Sequence, residues 1–255
     1  MEKKFEECFK AISEAKNVTV LTGAGVSTLS GISDFRGKNG FYSNGDTLYG
    51  VRKEEIFDIG FFRRKPEIFF RYAKEYLYPM LDKSPSIAHL ALAEMQKKGL
   101  CGAVYTQNID TLHTKASGGR VVELHGTLAS HHCTRCGAFC ETARARTIAE
   151  SDKVPLCEKC GAPVKPDVVF FGENLNEKDL SDAYDDCGKC DILLVLGSSL
   201  TVYPVAGLPG ECCASGGKLV IVNELETPYD SRAKFLFRDI AEFSGKMQEY
   251  FHLPR

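Results

Sequence analysis

The sequence predicts an α/β protein built on a doubly wound parallel sheet, interrupted by a helical insertion and by a small zinc-binding module. Three observations carry this expectation. Short β-branched and aliphatic runs alternate with helical patterns along most of the chain. Each run is closed by a small or polar residue. Residues 128–164 hold paired cysteines where hydrophobic periodicity would be expected.

Taken in order, residues 5–16 place Phe5, Cys8, Phe9 and Ile12 at helical spacing with charges between them, the pattern of an amphipathic helix. Asn17–Thr22 is a β-branched run that ends in Gly23-Ala24-Gly25, a buried strand entering a tight turn. The pattern recurs at Gly102–Thr106, Val121–Leu124, Asp191–Gly197 and Lys218–Asn223, with helical stretches at 86–98 and 176–187. In such a fold ligands sit at the carboxyl ends of the strands, so the residues that close each strand are the functional candidates.

Two stretches break the alternation. Residues 31–81 are rich in aromatics and hold Gly37, Gly40, Gly45 and Gly50, which reads as a mobile loop followed from Ile56 by one or two helices. Residues 128–164 have too little apolar periodicity for a conventional core and must be held together by something else. The expected division is a large domain from about 1–30, 82–127 and 165–255, and a small one from 31–81 and 128–164.

A chain of 255 residues with 44% hydrophobic content can bury one large core, or one core and a satellite. Lys+Arg total 32 against 34 Asp+Glu, a net charge of −2, so there is no strong positive field to hold a polyanion and no direct nucleic-acid partner is expected. No apolar run is long enough to span a membrane, and the start Met1-Glu2-Lys3-Lys4 lacks the apolar stretch of a signal peptide, so the expected location is cytoplasmic. The odd count of 11 cysteines argues for reduced thiols or metal over a disulfide framework.

Cys133-Thr134-Arg135-Cys136 and Cys157-Glu158-Lys159-Cys160 are two C-x-x-C pairs about twenty residues apart, each followed by glycine, Gly137 or Gly161. Four thiolates fill a tetrahedral zinc shell and leave no position for water, so the metal is expected to be structural. The alternative is a set of reduced or redox-active dithiols. Cys140 breaks the pairwise spacing and is left out of the ligand set; Cys187-Gly188-Lys189-Cys190 has no partner pair and reads as incidental cysteines at a helix-to-strand turn, with a redox or second metal site as the alternative.

Gly23-Ala24-Gly25-Val26-Ser27-Thr28 lets backbone amides approach a phosphate without a Cβ in the way, although a plain strand-to-helix turn would look the same. The continuation is more specific. Gly23 through Gly37 closely resembles the sirtuin signature GAGxSxxSGIxDFRG. Thr106-Gln107-Asn108-Ile109-Asp110, Leu124-His125-Gly126, the two knuckles, Lys165 through Glu173, Gly197-Ser198-Ser199-Leu200 and Val222-Asn223 follow in the family's order. The resemblance runs from about Val18 to Phe243.

That resemblance implies a Rossmann-like large domain and an NAD-dependent protein lysine deacetylase. Such an enzyme moves the acetyl group of acetyl-lysine to the ADP-ribose of NAD and releases nicotinamide and O-acetyl-ADP-ribose. His125 would be the general base; of the six histidines it alone ends a strand and precedes a glycine. Asp110 and Asn108 would serve the nicotinamide end, with Gln107 and the Ile109 backbone beside them. Gly23, Ala24, Gly25, Ser27 and Thr28 would cradle the diphosphate, and Asp34, Phe35 and Arg36 would form the loop over the cofactor. Gly197, Ser198 and Ser199 would face the phosphates, Asn223 the adenosine ribose and Ile240 the adenine. Val169-Phe170-Phe171-Gly172-Glu173 reads as an edge strand to which a substrate peptide adds, clamped from the other side by Val202.

Ser33 stands where the family usually has proline, and Ser198-Ser199 replaces a more frequent Thr-Ser. Members that remove acidic acyl groups carry a tyrosine and, three residues on, an arginine; the matching positions are Phe70 and Ala73, so a neutral acyl group is expected. The partners implied are acyl-lysine proteins, acted on by a monomer. The rival readings are mono-ADP-ribosyl transfer, which shares the NAD site, and a non-catalytic NAD- or peptide-binding module.

Overall fold

The aliphatic run Val18–Thr22 forms the first strand of a parallel sheet in the computed structural model, which describes residues 2–34, 40–41 and 45–254. Eleven strands are present among them. They are β1 (Val18–Thr22), β2 (Thr47–Leu48), β3 (Val51–Arg52), β4 (Val104–Thr106), β5 (Val121–Glu123), β6 (Gly126–Cys133), β7 (Phe139–Glu141), β8 (Val164–Val168), β9 (Ile192–Leu196), β10 (Lys218–Val222) and β11 (Ala233–Phe237). The main sheet has the order β11-β10-β9-β1-β4-β5 and every pairing in it is parallel.

Every residue of β1 and β9 is buried, which is why these strands are unbroken apolar runs without alternation. One face, through Val20, Val104, Leu194 and Val220, packs on the helices Glu2–Glu14, Ile87–Lys97 and Ile240–Tyr250. The other face, through Leu21, Tyr105, Leu193 and Ile221, meets Ala183 and Cys187 of helix Glu177–Lys189 and Leu208 and Cys212 of helix Leu208–Ala214. The chain fills one side of β1 with β4 and β5 and returns to the other with β9, so strand order reverses at β1 and opens a crevice at the carboxyl ends of β1 and β9.

The cysteine-rich segment forms a three-stranded antiparallel sheet, β7-β6-β8, with helix Thr142–Glu150 beside it. The insertion from residue 53 differs from the expected one or two helices. It is a chain of short turns: α-helices Lys53–Ile56, Ile59–Arg64 and Pro66–Tyr72, a π-helical turn Ala73–Leu77 and a 3₁₀ turn Tyr78–Asp82. The Asp58 carboxylate caps Phe61 N–H, and Pro66 cannot continue the helix before it. Edge-to-face contacts among Phe57, Phe62, Phe69 and Phe170 hold these turns together. Of the stretch expected to be a mobile loop, residues 35–39 and 42–44 lie outside the described residues, and β2 pairs antiparallel with β3 in the part that follows.

Val169–Glu173 is not an edge strand. The strand lies one step earlier, at β8, and its partner β6 begins at Gly126. Beyond it the chain is held piecemeal: Val169 N–H donates to the His125 carbonyl, Phe171 N–H to the Phe57 carbonyl, and Gly172 turns at φ +88°.

Burial of histidines makes stability pH-dependent. His89 is fully buried, caps Ser86 N–H with Nδ1, and lies 4.5 Å from the His113 ring; burial pushes its pKa down to about 4. An unfolded chain with histidine near 6.5 binds a proton that the folded one refuses, so stability falls as pH drops from about 6.5 toward 4, by up to about 1.4 kcal/mol per pH unit for this residue. Thermal melts across that window should show the fall, and His89→Gln should flatten it. An unchanged slope in the variant would remove His89 as a cause.

Candidate active site and metal centre

At the crevice the turns after β1 and β9 are pressed together. Gly23 N–H donates to the Leu196 carbonyl and Gly25 N–H to the Gly197 carbonyl at 2.9 Å. A Cβ on Gly25 would lie 2.6 Å from Gly197 Cα, and Gly197 itself has φ +64°, so both positions require glycine. The exposed face of this turn is a backbone cradle, and Ala24 and Thr28 line it.

The turn after β4 is tied to the turn after β1 by three polar side chains. Ser27 Oγ–H donates to Asp110 Oδ2 at 2.6 Å, and Asn108 Nδ2–H donates to the Gly23 carbonyl at 3.1 Å and to Ser27 Oγ at 3.2 Å. Asp110 Oδ1 accepts Leu112 N–H at 2.9 Å, so this carboxylate also caps the helix that follows. Burial raises the Asp110 pKa, while the bonds from Ser27 and Leu112 oppose that rise. Ile109 is buried and its carbonyl accepts Leu128 N–H.

His125 occupies the turn between β5 and β6. A Cβ on Gly126, which has φ +78°, would lie 1.9 Å from the Asp167 carbonyl oxygen, so the turn closes only with glycine after the histidine. His125 Nδ1 is 3.1 Å from the Gln107 carbonyl oxygen. A carbonyl only accepts, so Nδ1 carries the proton and Nε2 keeps its lone pair. Desolvation lowers the His125 pKa, with the Gln107 bond acting the other way, so the ring is neutral at neutral pH.

Two cavities meet at His125 and Gln107. The first is lined by Gly23, Ala24, Gly25, Thr28, Asp34, Asn108, Gly197, Ser198, Ser199, Asn223 and Ile240, all expected from the sequence, and also by Val202, Glu224 and Leu225. Ser27, Ile109 and Asp110 are not on its wall; the first and last stand behind it, holding the Asn108 side chain and the loop. Phe35 and Arg36 lie outside the described residues. Ser198 Oγ–H donates to Gln107 Oε1 at 2.5 Å, which joins the β4 and β9 ends across the cavity floor.

The second cavity, of about 600 Å³, is lined by the expected Val169, Phe170, Phe171, Gly172, Glu173 and Val202. Phe57, Ile109 and Val168 give it an apolar wall, and Leu175, Glu177, Leu180 and Tyr203 line it as well. The only sequence signal for this last group was adjacency to the motifs. Phe70 and Ala73 are buried against the same aromatic cluster but do not line the cavity. Lys165 brings a cation beside its wall. Its Nζ is 4.3 Å from the Phe170 ring centroid and is neutralised by Glu173 at 3.0 Å.

In the small module the four expected thiols converge. Cys133, Cys136, Cys157 and Cys160 Sγ all lie within 4.8 Å of one another, with three separations of 3.4, 3.6 and 3.6 Å. Zinc with Zn–S bonds of about 2.3 Å sets tetrahedral sulfurs about 3.8 Å apart, so the four residues fit one structural zinc ion. Both knuckles use the same backbone scheme: Cys133 N–H to Ala138 O and Gly137 N–H to Cys133 O, then Cys157 N–H to Ala162 O and Gly161 N–H to Cys157 O. Arg135 and Cys136 N–H also point at Cys133 Sγ, at 3.4 and 3.5 Å. Cys140 is buried outside this set, against Arg144. Cys190 and Cys212 Sγ lie 3.7 Å apart in the core.

A family model described as the Sir2 family matches residues 23–204. The NAD-dependent protein deacetylase of Thermotoga maritima is 44% identical over 96% of this chain and 98% of its own length. Among solved structures, one described as Sir2 bound to acetylated peptide matches with TM-score 0.88 and 41% identity, covering 98% of this chain and 99% of that one. One described as Sir2 with p53 peptide and NAD+ matches with TM-score 0.88 and 42% identity over 97% and 98%. A model match over most of the chain and high identity to a relative of nearly the same length show that this chain belongs to the Sir2 family.

Proposed function

We propose that the chain is an NAD-dependent protein lysine deacetylase, in which the first cavity takes NAD and the second takes the acyl-lysine of a substrate protein. The observation that carries this reading is His125 at the junction of the two, with Nε2 bearing a lone pair. NAD fits the first cavity because its glycine cradle offers backbone amides to a diphosphate. NAD supplies a ribose carbon that loses nicotinamide and bonds the acyl carbonyl oxygen.

The protein's own groups then have distinct tasks. His125 Nε2 takes the proton of a ribose hydroxyl, and Gln107 holds the ring by Nδ1. Asn108 and Asp110 shape the nicotinamide end, with Asp110 anchored by Ser27. Ile109, Phe57 and Val168 keep the lysine channel dry. Among the described residues the Val169 carbonyl and the Gly172 amide have no main-chain partner, which supports docking of a peptide backbone along 169–173. The apolar channel and intact His125 favour deacylation over ADP-ribosyl transfer and over a non-catalytic role. No helix among the described residues is long and apolar enough to cross a membrane; the proposal keeps the expectation of a cytoplasmic monomer without a nucleic-acid partner. The proposal keeps the division expected from the sequence, with 31–81 and 128–164 as the small part.

A panel of acyl-lysine peptides, followed by nicotinamide release, tests the reading. Acetyl and propionyl peptides should be processed at least about 10²-fold better than succinyl on the same sequence, because burying an unpaired carboxylate costs several kcal/mol. Arg71 is engaged by Glu75 and stacks on Tyr49, and Arg64 lies over Phe61, so neither serves the channel. Equal efficiency with succinyl would mean that Lys165 leaves Glu173 for the substrate. No acyl-dependent nicotinamide release at all would sink the function.

A further inference from the structure

The chain that leaves β8 along the second cavity is closed on itself by one ammonium group. The Lys165 side chain is only 12% exposed, and its Nζ has an acceptor for each of its three donors. They go to the Pro166 carbonyl at 3.0 Å, the Val168 carbonyl at 2.6 Å and Glu173 Oε2 at 3.0 Å, with the same ammonium over the Phe170 ring. Glu173 Oε2 in turn accepts Phe170 N–H at 2.8 Å. Residues 168–173 are thus a loop whose two ends are joined through Lys165 and Glu173. The link takes up the Val168 carbonyl and the Phe170 amide, while Val169 N–H and Phe171 N–H go to the His125 and Phe57 carbonyls. Among the described residues it leaves the Val169 carbonyl and the Gly172 amide without main-chain partners.

We propose that Lys165, acting through Glu173, is a positioning residue for substrate: it holds 168–173 in the shape that presents the Val169 carbonyl and the Gly172 amide to a peptide main chain. Lys165 lines neither cavity, so its influence on substrate has to pass through this loop. Removing the ammonium would strip the Val168 carbonyl of a donor and leave Glu173 as an uncompensated carboxylate on the cavity wall, and the loop would rearrange to relieve both. The inference rests on the reading of the second cavity as the acyl-lysine site.

Lys165→Met keeps the apolar stem and removes the charge. With an acetylated peptide it should raise the peptide KM by at least about tenfold, while kcat and the KM for NAD stay within about threefold of the parent. Substrate length separates positioning from a general loss of structure. For acetyl-lysine amide without flanking residues, which makes no strand-like main-chain contacts, the penalty in kcat/KM should shrink to less than about threefold. Glu173→Gln alters a more exposed partner and should show the same length-dependent rise in KM, so it carries the test if Lys165→Met does not fold. Melting temperatures establish which variants are folded. An unchanged peptide KM in the folded variants, or an equal penalty for the peptide and for acetyl-lysine amide, would overturn the proposal. If the parent shows no acyl-dependent nicotinamide release, the reading of the cavity itself falls.

Discussion

His125→Ala is expected to cut acyl-lysine turnover to near the limit of detection, a loss on the order of 10²–10⁴-fold, while NAD binding and melting temperature stay close to those of the parent. The ring is held from one side only, by the Gln107 carbonyl on Nδ1, and is only partly buried against its neighbours, so its removal leaves no unpaired buried charge and little core volume. What disappears is the one titratable side chain, among the described residues, that lines both cavities. The pH profile carries the same assignment. A base must be neutral to act, and desolvation lowers the His125 pKa, so kcat/KM should rise with pH through a midpoint below about 6.5 and be level at neutrality. Turnover within about tenfold of the parent would remove His125 from the base role, and a limb well above 6.5 would assign the titration to another group.

The main sheet was legible because its strands are buried on both faces. Val18–Thr22 and Ile192–Leu196 had to be continuous apolar runs, and glycines had to stand where β1 and β9 turn against each other. Most of the first cavity was legible for a related reason, since its walls are the residues that close those strands. Legibility failed where tertiary pairing overrides local pattern. Val164–Val168 looks unlike a strand because of Lys165, Pro166 and Asp167; the proline is tolerated because β8 is the edge of the order β7-β6-β8. The aromatic Val169–Phe171 looks more like a strand, yet its backbone goes to His125 and Phe57 and leaves the sheet. The short turns from Lys53 to Asp82 have no period long enough to read, because Asp58, Pro66 and Pro79 interrupt them. Glu224 and Leu225 escaped notice because they follow a strand end in an irregular turn where sequence marks no contact.

Replacing any one of Cys133, Cys136, Cys157 or Cys160 with serine is expected to abolish stoichiometric zinc, lower the melting temperature and impair turnover together. The buried cluster of this module consists of Cys133, Cys140, Ala145, Cys157, Ala162 and Val164. Side chains so small remove little apolar surface from water, so metal binding, worth roughly 10–16 kcal/mol in isolated zinc modules, has to supply the ordering energy. Loss of order here would not stay local. Strand β6 runs from Gly126, next to His125, to Cys133 of the thiol cluster, and β8 runs from Val164 to Val168, next to the residues 169–173 that line the second cavity. The module therefore positions both His125 and one wall of the second cavity. Metal analysis of the parent should give one zinc per chain, and Cys140→Ala should keep it, because Cys140 is buried beside the ligands without belonging to their set. A metal-free parent, a second ion per chain, or full activity and an unchanged melting temperature in a ligand variant would each show that the fold does not depend on this centre.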